Sequence, residues 1–597
     1  MTQRSLLAAV LVFCTLALAQ GPIRYSISLA HPEKHLVDIK LDLPPGPAVR
    51  QLQLPVWDAL YQVRDFSQFM NWIRAVDANG HPLPLHSINA SRWQLEDASS
   101  GARVEYEIFA DSPGPFGAQL NSHHAFFNLA EILLYAEDGR SSPQLLEFNN
   151  IPAPWRIGTP LAQQGTTYAA DNYDRLVDSP VEVSEFEERD IAAKCGKYRI
   201  ILDLDNSTRA ANPHSILDKI TPSIERIVSV ETAWMNDCPF HTYTFIYHFT
   251  DAPGRGGMEH AFGSAITLSP SAIAGNLAVF DSITAHEFFH LWNVKRIRPE
   301  SLEPVDYTKA NYTKALWFSE GVDSTVSGYM LLRAGLIDEP AYLENLGQAI
   351  TELENQPAHL TQSVEQSSLD AWLEKYSYYN LPDRSISYYN KGELLGILLD
   401  LKIRAATNDQ ASLESLFRYM NEHYAKQGKF FPDTAGVRES AEALAHTSLR
   451  DFFSNYISGV QEIPWDDFFR PVGLHVSSFE RVFAQRGFDA VQKFDQPLVV
   501  ASVEPGSRAE SAGLEPNDVI TAINGHAPGR DIDRDIQALG PGAQLRLTVA
   551  REGVQHEFDW TLGARKQTIY RLEDVSNITP EQRRRRQAWL LGTEAKP

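Results

Sequence analysis

The chain is poor in cysteine, with three in 597 residues. No two of them form a C-x-x-C pair, so a zinc site built on thiolates is not indicated. Basic residues are also in deficit, 53 Lys and Arg against 76 Asp and Glu, for a formal charge of −23. Phosphate recognition depends on clustered Lys and Arg, so nucleic acid is excluded as the main partner. Beyond the first twenty residues no run is long and apolar enough to cross a bilayer, and no stable membrane anchor is expected. Internal repeats are absent. What is present, 43% apolar and 22% charged residues, is the balance of a soluble globular protein rather than a disordered or collagen-like one. At ~150 residues per domain, three to four units are expected.

Residues 1–19 read as a signal peptide. Arg4 supplies a short basic start, Leu6 to Ala19 is almost wholly apolar, and Ala17-Leu18-Ala19 offers small residues for cleavage before Gln20. Bulky Phe13 precedes Cys14, where a lipidation site wants a small residue. The expected location is therefore secreted or periplasmic. Cys195 and Cys238 remain after cleavage; one bridge and two separately buried thiols are both open readings.

The rest of the chain changes period twice. Tyr25-Ser26-Ile27-Ser28-Leu29, Val37-Asp38-Ile39-Lys40-Leu41 and Val104-Glu105-Tyr106-Glu107-Ile108 alternate apolar and polar residues, which predicts an antiparallel β-sandwich over residues 20–178. His123 and His124 look like a metal pair, but neighbours on a strand face opposite ways, so both are assigned a structural role. Residues 179–470 form a mixed region that turns helical near Asp281; Leu394, Ile397, Leu398 and Leu401 share one helix face. Strand patterns return over 471–565 and end near Leu562. The tail, 566–597, carries a short helix after Thr579-Pro580. Its Arg583–Arg586 run is a solvated face or a docking strip. The fold class is thus multidomain α+β.

His286-Glu287-Phe288-Phe289-His290 is an H-E-x-x-H motif. Residues four apart on a helix are neighbours, so both imidazoles can share one Zn²⁺ while Glu287 projects beside them as a general base. A third ligand is needed. The metzincin pattern requires Gly at 293 and His at 296, where the chain has Asn293 and Arg296. Glu320, a carboxylate inside the apolar stretch Ala315–Gly321, is the better candidate, because a buried carboxylate is costly unless paired or bound to metal. Capping of a turn is the alternative role for Glu320.

Four motifs in order carry a resemblance: Gly256-Gly257-Met258-Glu259-His260; His290-Leu291-Trp292-Asn293-Val294-Lys295-Arg296-Ile297-Arg298-Pro299; Leu316-Trp317-Phe318-Ser319-Glu320-Gly321; and Ser387-Tyr388-Tyr389-Asn390-Lys391-Gly392. Together they resemble the PDZ-containing glycyl aminopeptidases, zinc peptidases similar in catalytic core to aminopeptidase N. The resemblance implies a thermolysin-like catalytic domain with a mainly helical C-terminal half, and one Zn²⁺ per chain on His286, His290 and Glu320. It implies that Glu259, with Gly256 and Gly257, holds the substrate's free amine. It implies that Tyr389 donates to the oxyanion, with Tyr388 as the alternative. His260 stands where the wider clan has Asn. The His290–Glu320 interval is longer than in aminopeptidase N, which points to an inserted loop.

Val503–Leu514 running into Asn517–Gly525 resembles a PDZ domain, whose expected ligand is a peptide C-terminus bound by strand addition. Arg486-Gly487-Phe488 is its candidate carboxylate loop. Packing against the catalytic unit alone is the other reading. The expected activity is zinc-dependent removal of an N-terminal residue, Gly and then Ala, from peptides. An endopeptidase of the same chemistry and a non-catalytic peptide-binding scaffold are the alternatives.

Overall fold

The computed structural model describes residues 21–592 except 58–60, 62, 195, 206–207, 210–214, 251–253, 377, 493–497 and 529–531. The leader and Cys195 therefore lie outside the described residues. Cys238 is disulfide-bonded.

The period-two segments do form strands. Tyr25, Ile27, Val37, Ile39, Leu41, Val104, Tyr106 and Ile108 are all buried on Ile23–Ser28, Leu36–Leu43 and Ala102–Phe109, in the middle of an eight-stranded sheet. Two four-stranded sheets accompany it. One expectation needs correcting: the layers are not purely antiparallel, because Ile23–Ser28 pairs in parallel with Gln144–Asn149. The long excursion between Leu43 and Gln144 supplies the crossover that parallel pairing needs.

A five-stranded sheet follows, with spatial order Glu187–Ala193, Gly196–Leu204, Thr242–Phe249, Gly263–Leu268 and Gly256–His260. Its central pairs are parallel and its last pair antiparallel, which leaves the Gly256–His260 strand on an edge. Helices Ile216–Met235 and Ala278–Phe289 cover one face. Beyond them the chain is mainly helical, and the longest of these helices is Tyr388–Thr407. Leu394, Ile397, Leu398 and Leu401 are buried as their spacing requires. Leu395 and Leu399 are buried too, because this helix runs through the centre of the domain rather than along its surface. One apolar cluster extends from Trp57 of the β-rich unit to Trp589 near the end of the chain. No helix among the described residues is long and apolar enough to cross a membrane.

The chain leaves the helical domain along Leu474–Gln485, builds a five-stranded unit over Phe488–Thr561, and returns along Gly563–Asp574. The two long strands pair antiparallel from Leu474↔Asp574 to Gln485↔Gly563. The expectation that strand structure stops near Leu562 is therefore corrected: the return strand extends to Asp574 because its partner does. Helix Pro580–Leu591 then docks back on the helical domain. Arg586 donates to the carbonyls of Val472 and Gly473 and pairs with Asp574, so part of the arginine run is a docking strip.

Candidate active site

Helix Ala278–Phe289 carries His286 and Glu287, and His290 follows at its end. His290 keeps helical dihedrals (φ −57°, ψ −17°), so the i, i+4 geometry survives and the two Nε2 atoms stand 3.1 Å apart. The next turn reverses sharply at Val294, whose φ of +91° is strained for a β-branched residue. That turn presents the Asn293 carbonyl to His290 Nδ1 at 2.9 Å. The Nδ1 proton is thereby committed, which leaves the Nε2 lone pair facing the site.

Glu320 lies on a π-helical turn, Trp317–Val322. Its Oε2 is 3.4 Å from His286 Nε2 and 3.3 Å from His290 Nε2. A π turn breaks the regular ladder and frees carbonyls. Here the Asn293 side chain donates to the carbonyls of Phe318 and Ser319 at 3.0 and 3.1 Å, tying the turn after the histidines to the turn that carries Glu320. On the far side of the rings, Asp323 reaches His286 Nδ1 at 3.2 Å and His290 Nδ1 at 3.5 Å.

The three donor atoms fit one tetrahedral cation. With metal–ligand bonds of ~2.0–2.2 Å, a tetrahedron has edges of roughly 3.3 Å, and the observed separations straddle that length. Burial lowers the proton affinity of His286, and His290 beside it adds to this. Glu320 remains below the ordinary carboxylate range because His290 and His286 outweigh the effect of its burial.

Glu287 sits against the edge strand. A Cβ on Gly257 would lie 2.0 Å from its Oε1, so only glycine leaves room for this carboxylate. Burial pushes Glu287 up to about 8; His290 opposes the rise, and the charges of Glu259 and Glu320 add to it. A cation in the adjoining site acts the other way and favours the carboxylate. Glu259, on the same edge strand as Gly256 and Gly257, is 6% exposed. Its carboxylate, that of Glu287 and a ring nitrogen of His290 lie within 4.8 Å of one another.

Tyr389 is 41% exposed and its ring centroid is 6.0 Å from that of His286. Tyr388 is buried at 3% and packs on Tyr389 at 4.8 Å. Both stand in the first turn of the Tyr388–Thr407 helix, after the Ser387 cap.

Beside Glu259 opens a cavity of about 330 Å³, bordered by Trp57, Tyr61, Met258, Lys295 and Tyr307. Lys295 Nζ is 3.0 Å from Asp178 Oδ1 and 4.0 Å from Glu259 Oε1. His260 Nδ1 approaches the same Asp178 oxygen at 3.2 Å. Sequence reasoning missed Tyr61, Asp178 and Asp323 as parts of this site. Asp323 had a signal, since it follows Glu320 by three residues on a helical stretch. Tyr61 and Asp178 had none, because they come from the β-rich unit.

Two histidines, a carboxylate and a neighbouring acid, set beneath a sheet edge in a mixed α+β chain, make a candidate metal site. Three family profiles match in chain order: the peptidase M61 N-terminal domain over residues 24–185, the M61 glycyl aminopeptidase over 279–395, and a PDZ domain over 499–551. In its N-terminal and catalytic units the chain matches the M61 glycyl aminopeptidase family. Its fold resembles the crystal structure of an aminopeptidase N family protein from Idiomarina loihiensis, with a TM-score of 0.80 and 25% identity over 95% of this chain and 100% of that one.

Curated relatives match through the PDZ unit. PDZ and LIM domain protein 3 of Rattus norvegicus is 36% identical over 107 residues, 15% of this chain and 28% of that protein. A probable periplasmic serine protease do/HhoA-like of Haemophilus influenzae is 38% identical over 71 residues, 12% of this chain and 15% of that protein. The chain thus spans less than a third of the length of these relatives. The chain has an aminopeptidase-like fold and a PDZ domain.

Proposed function

We propose that this protein is a zinc-dependent aminopeptidase that releases the N-terminal residue of peptides, Gly and then Ala. The observation that carries the reading is the convergence of His286, His290 and Glu320 beside Glu287, with Glu259 at the end of the adjoining edge strand. Two neutral imidazoles and one carboxylate, with a position left open, are the donor set of a catalytic Zn²⁺. When bound, that ion supplies Lewis-acid polarisation of the substrate carbonyl and acidifies a water.

The chain's own residues do the rest. The Gly256–His260 edge strand offers an unpaired backbone to an extended peptide. Glu259 receives the free α-amine by a charge-assisted hydrogen bond in a nearly dry pocket. That fixes the register so that the first peptide bond faces Glu287. Glu287 takes a proton from the attacking water and returns it to the leaving amine. Tyr389, exposed to the cleft beside His286, donates to the developing oxyanion; buried Tyr388 supports its ring. The preference for glycine is supported by the family match alone. The PDZ unit is proposed to take a peptide C-terminus at its own edge strand.

We also infer export from the cytoplasm, which the disulfide at Cys238 and the apolar leader support.

The test is a panel of Gly, Ala and Leu amides and their N-blocked counterparts, assayed with and without chelator. Free-amine Gly substrates are expected to turn over fastest, and Glu287→Gln to abolish turnover while retaining zinc. Glu259→Ala should lower kcat/KM for free-amine substrates by ~10²-fold or more. Equal cleavage of N-blocked peptides would instead establish an endopeptidase.

A further inference from the structure

His123 and His124 do not face opposite ways as adjacent strand residues should. The strand begins only at His124, so His123 precedes the pleat, and both rings reach Asp203. His123 Nε2 is 3.3 Å and His124 Nδ1 3.6 Å from its Oδ2. Around them two sheets meet face to face. The β-rich unit contributes His124 from His124–Phe127 and Glu182 from Val181–Ser184, neighbouring antiparallel strands. The catalytic sheet contributes Asp203 and His248, which are direct partners in a parallel pair. Two residues back along each catalytic strand, Ile201 and Ile246 pack against Phe126 and Phe186 in a dry cluster, so the alternation of the strands aims all four polar side chains into the same interface.

We propose that His124, Glu182, Asp203 and His248 form a second zinc site that clamps the β-rich unit to the catalytic domain. One donor atom from each lies within 4.8 Å of the others. His124 Nδ1 is 3.5 Å from Glu182 Oε1, and His248 Nε2 is 2.9 Å from Glu182 Oε2. The first spacing is close to the edge of a zinc tetrahedron, roughly 3.3 Å; the second, to the other Glu182 oxygen, is a hydrogen bond. Glu182 is completely buried, yet its Oε1 and the facing His124 Nδ1 have no hydrogen-bond partner. The outer nitrogens are engaged: His124 Nε2 meets Gln119 Oε1 at 3.0 Å and His248 Nδ1 meets Thr267 Oγ1 at 3.5 Å. For His124 that pattern places the proton outside and the lone pair inside, whereas His248 Nε2, hydrogen-bonded to the Glu182 carboxylate, would give up its proton to a cation. Two carboxylates among neutral imidazoles carry two negative charges, which a single divalent cation balances. Two imidazoles and two carboxylates leave no open position, so the site is structural rather than catalytic.

The experiment counts metal in the full-length chain with the catalytic site removed. The His286→Ala, His290→Ala double variant, dialysed after purification, should retain about one equivalent of zinc. Adding His248→Ala and Glu182→Gln should reduce that to less than about a tenth of an equivalent. Anomalous diffraction at the zinc edge from the double variant should show a peak among the four side chains, a readout that leaves the new site unaltered. A folded double variant without zinc, or crystals of it with no such peak, would overturn the proposal and leave an ion-pair network held by protonated histidines.

Discussion

Gly321 and Gly392 meet backbone to backbone. A Cβ on Gly321 would stand 2.5 Å from the Cα of Gly392 and 2.5 Å from the carbonyl oxygen of Tyr388. The turn that carries Glu320 and the helix that carries Tyr389 are therefore in direct main-chain contact.

Replacing Gly392 with Ala should separate those two elements. Its Cβ would lie 2.4 Å from the Trp317 carbonyl oxygen, and no flexible side chain is there to swing aside. Overpacking of this kind costs ~1–3 kcal/mol, and a shift of ~1 Å between ligand and oxyanion donor costs on the order of 10²-fold in rate. Thermal unfolding and kcat on a glycyl amide should both fall.

Gly257→Ala should behave differently. The new methyl group meets a side chain rather than main chain, 2.0 Å from Glu287 Oε1, 2.3 Å from its Cδ and 2.6 Å from its Cγ, so the whole Glu287 side chain must turn aside. Stability and zinc content should stay near wild type, within ~1 kcal/mol. Because the general base is displaced, kcat should drop by ~10²-fold or more. Loss of zinc in this variant would show that the clash is transmitted to the ligands instead.

Asp178 links stability to pH. Burial alone would push its carboxyl up, but Lys295 and His260 outweigh burial and hold it well below the ordinary carboxylate range. A depressed folded-state pKa contributes stability that is fully present above the unfolded value, ~3.9, and is lost as pH falls below it. The Tm gap between wild type and Asp178→Asn should be widest near neutrality and shrink below pH ~4. Lys295, left with Glu259 as its nearest carboxylate at 4.0 Å, should also compete with the substrate amine. KM should then rise by ~10-fold with a smaller change in kcat.

The PDZ unit sits at the end of a ribbon whose last pair is Gln485↔Gly563. Excising residues 486–562 and closing the ribbon with an Asn-Gly turn should leave a folded peptidase that cleaves small amides within a few-fold of wild type. The C-terminal helix should not be dispensable. Trp589 is fully buried and donates to the Tyr329 hydroxyl at 2.7 Å, so Trp589→Ala should cost ~3–5 kcal/mol. Denaturant unfolding of the two variants separates these cases.

The sequence by itself determined whatever depends on short spacing. Period two buried Tyr25, Val37 and Val104; period 3.6 buried Leu394 and Leu398; and the H-E-x-x-H interval brought His286 and His290 to a common point, because one turn of helix fixes that distance. Glu320 was legible for a different reason, since an acid in an apolar stretch needs a partner wherever it goes. Tertiary structure alone decided what crosses between units: Tyr61 and Asp178 beside Glu259, the return of Trp589 into the catalytic core, and the meeting of His124, Glu182, Asp203 and His248. Those residues lie on separate elements with no fixed interval between them. Their encounter is set by sheet register and by how two sheets stack, quantities that depend on every packed side chain together and are written in no local run of residues.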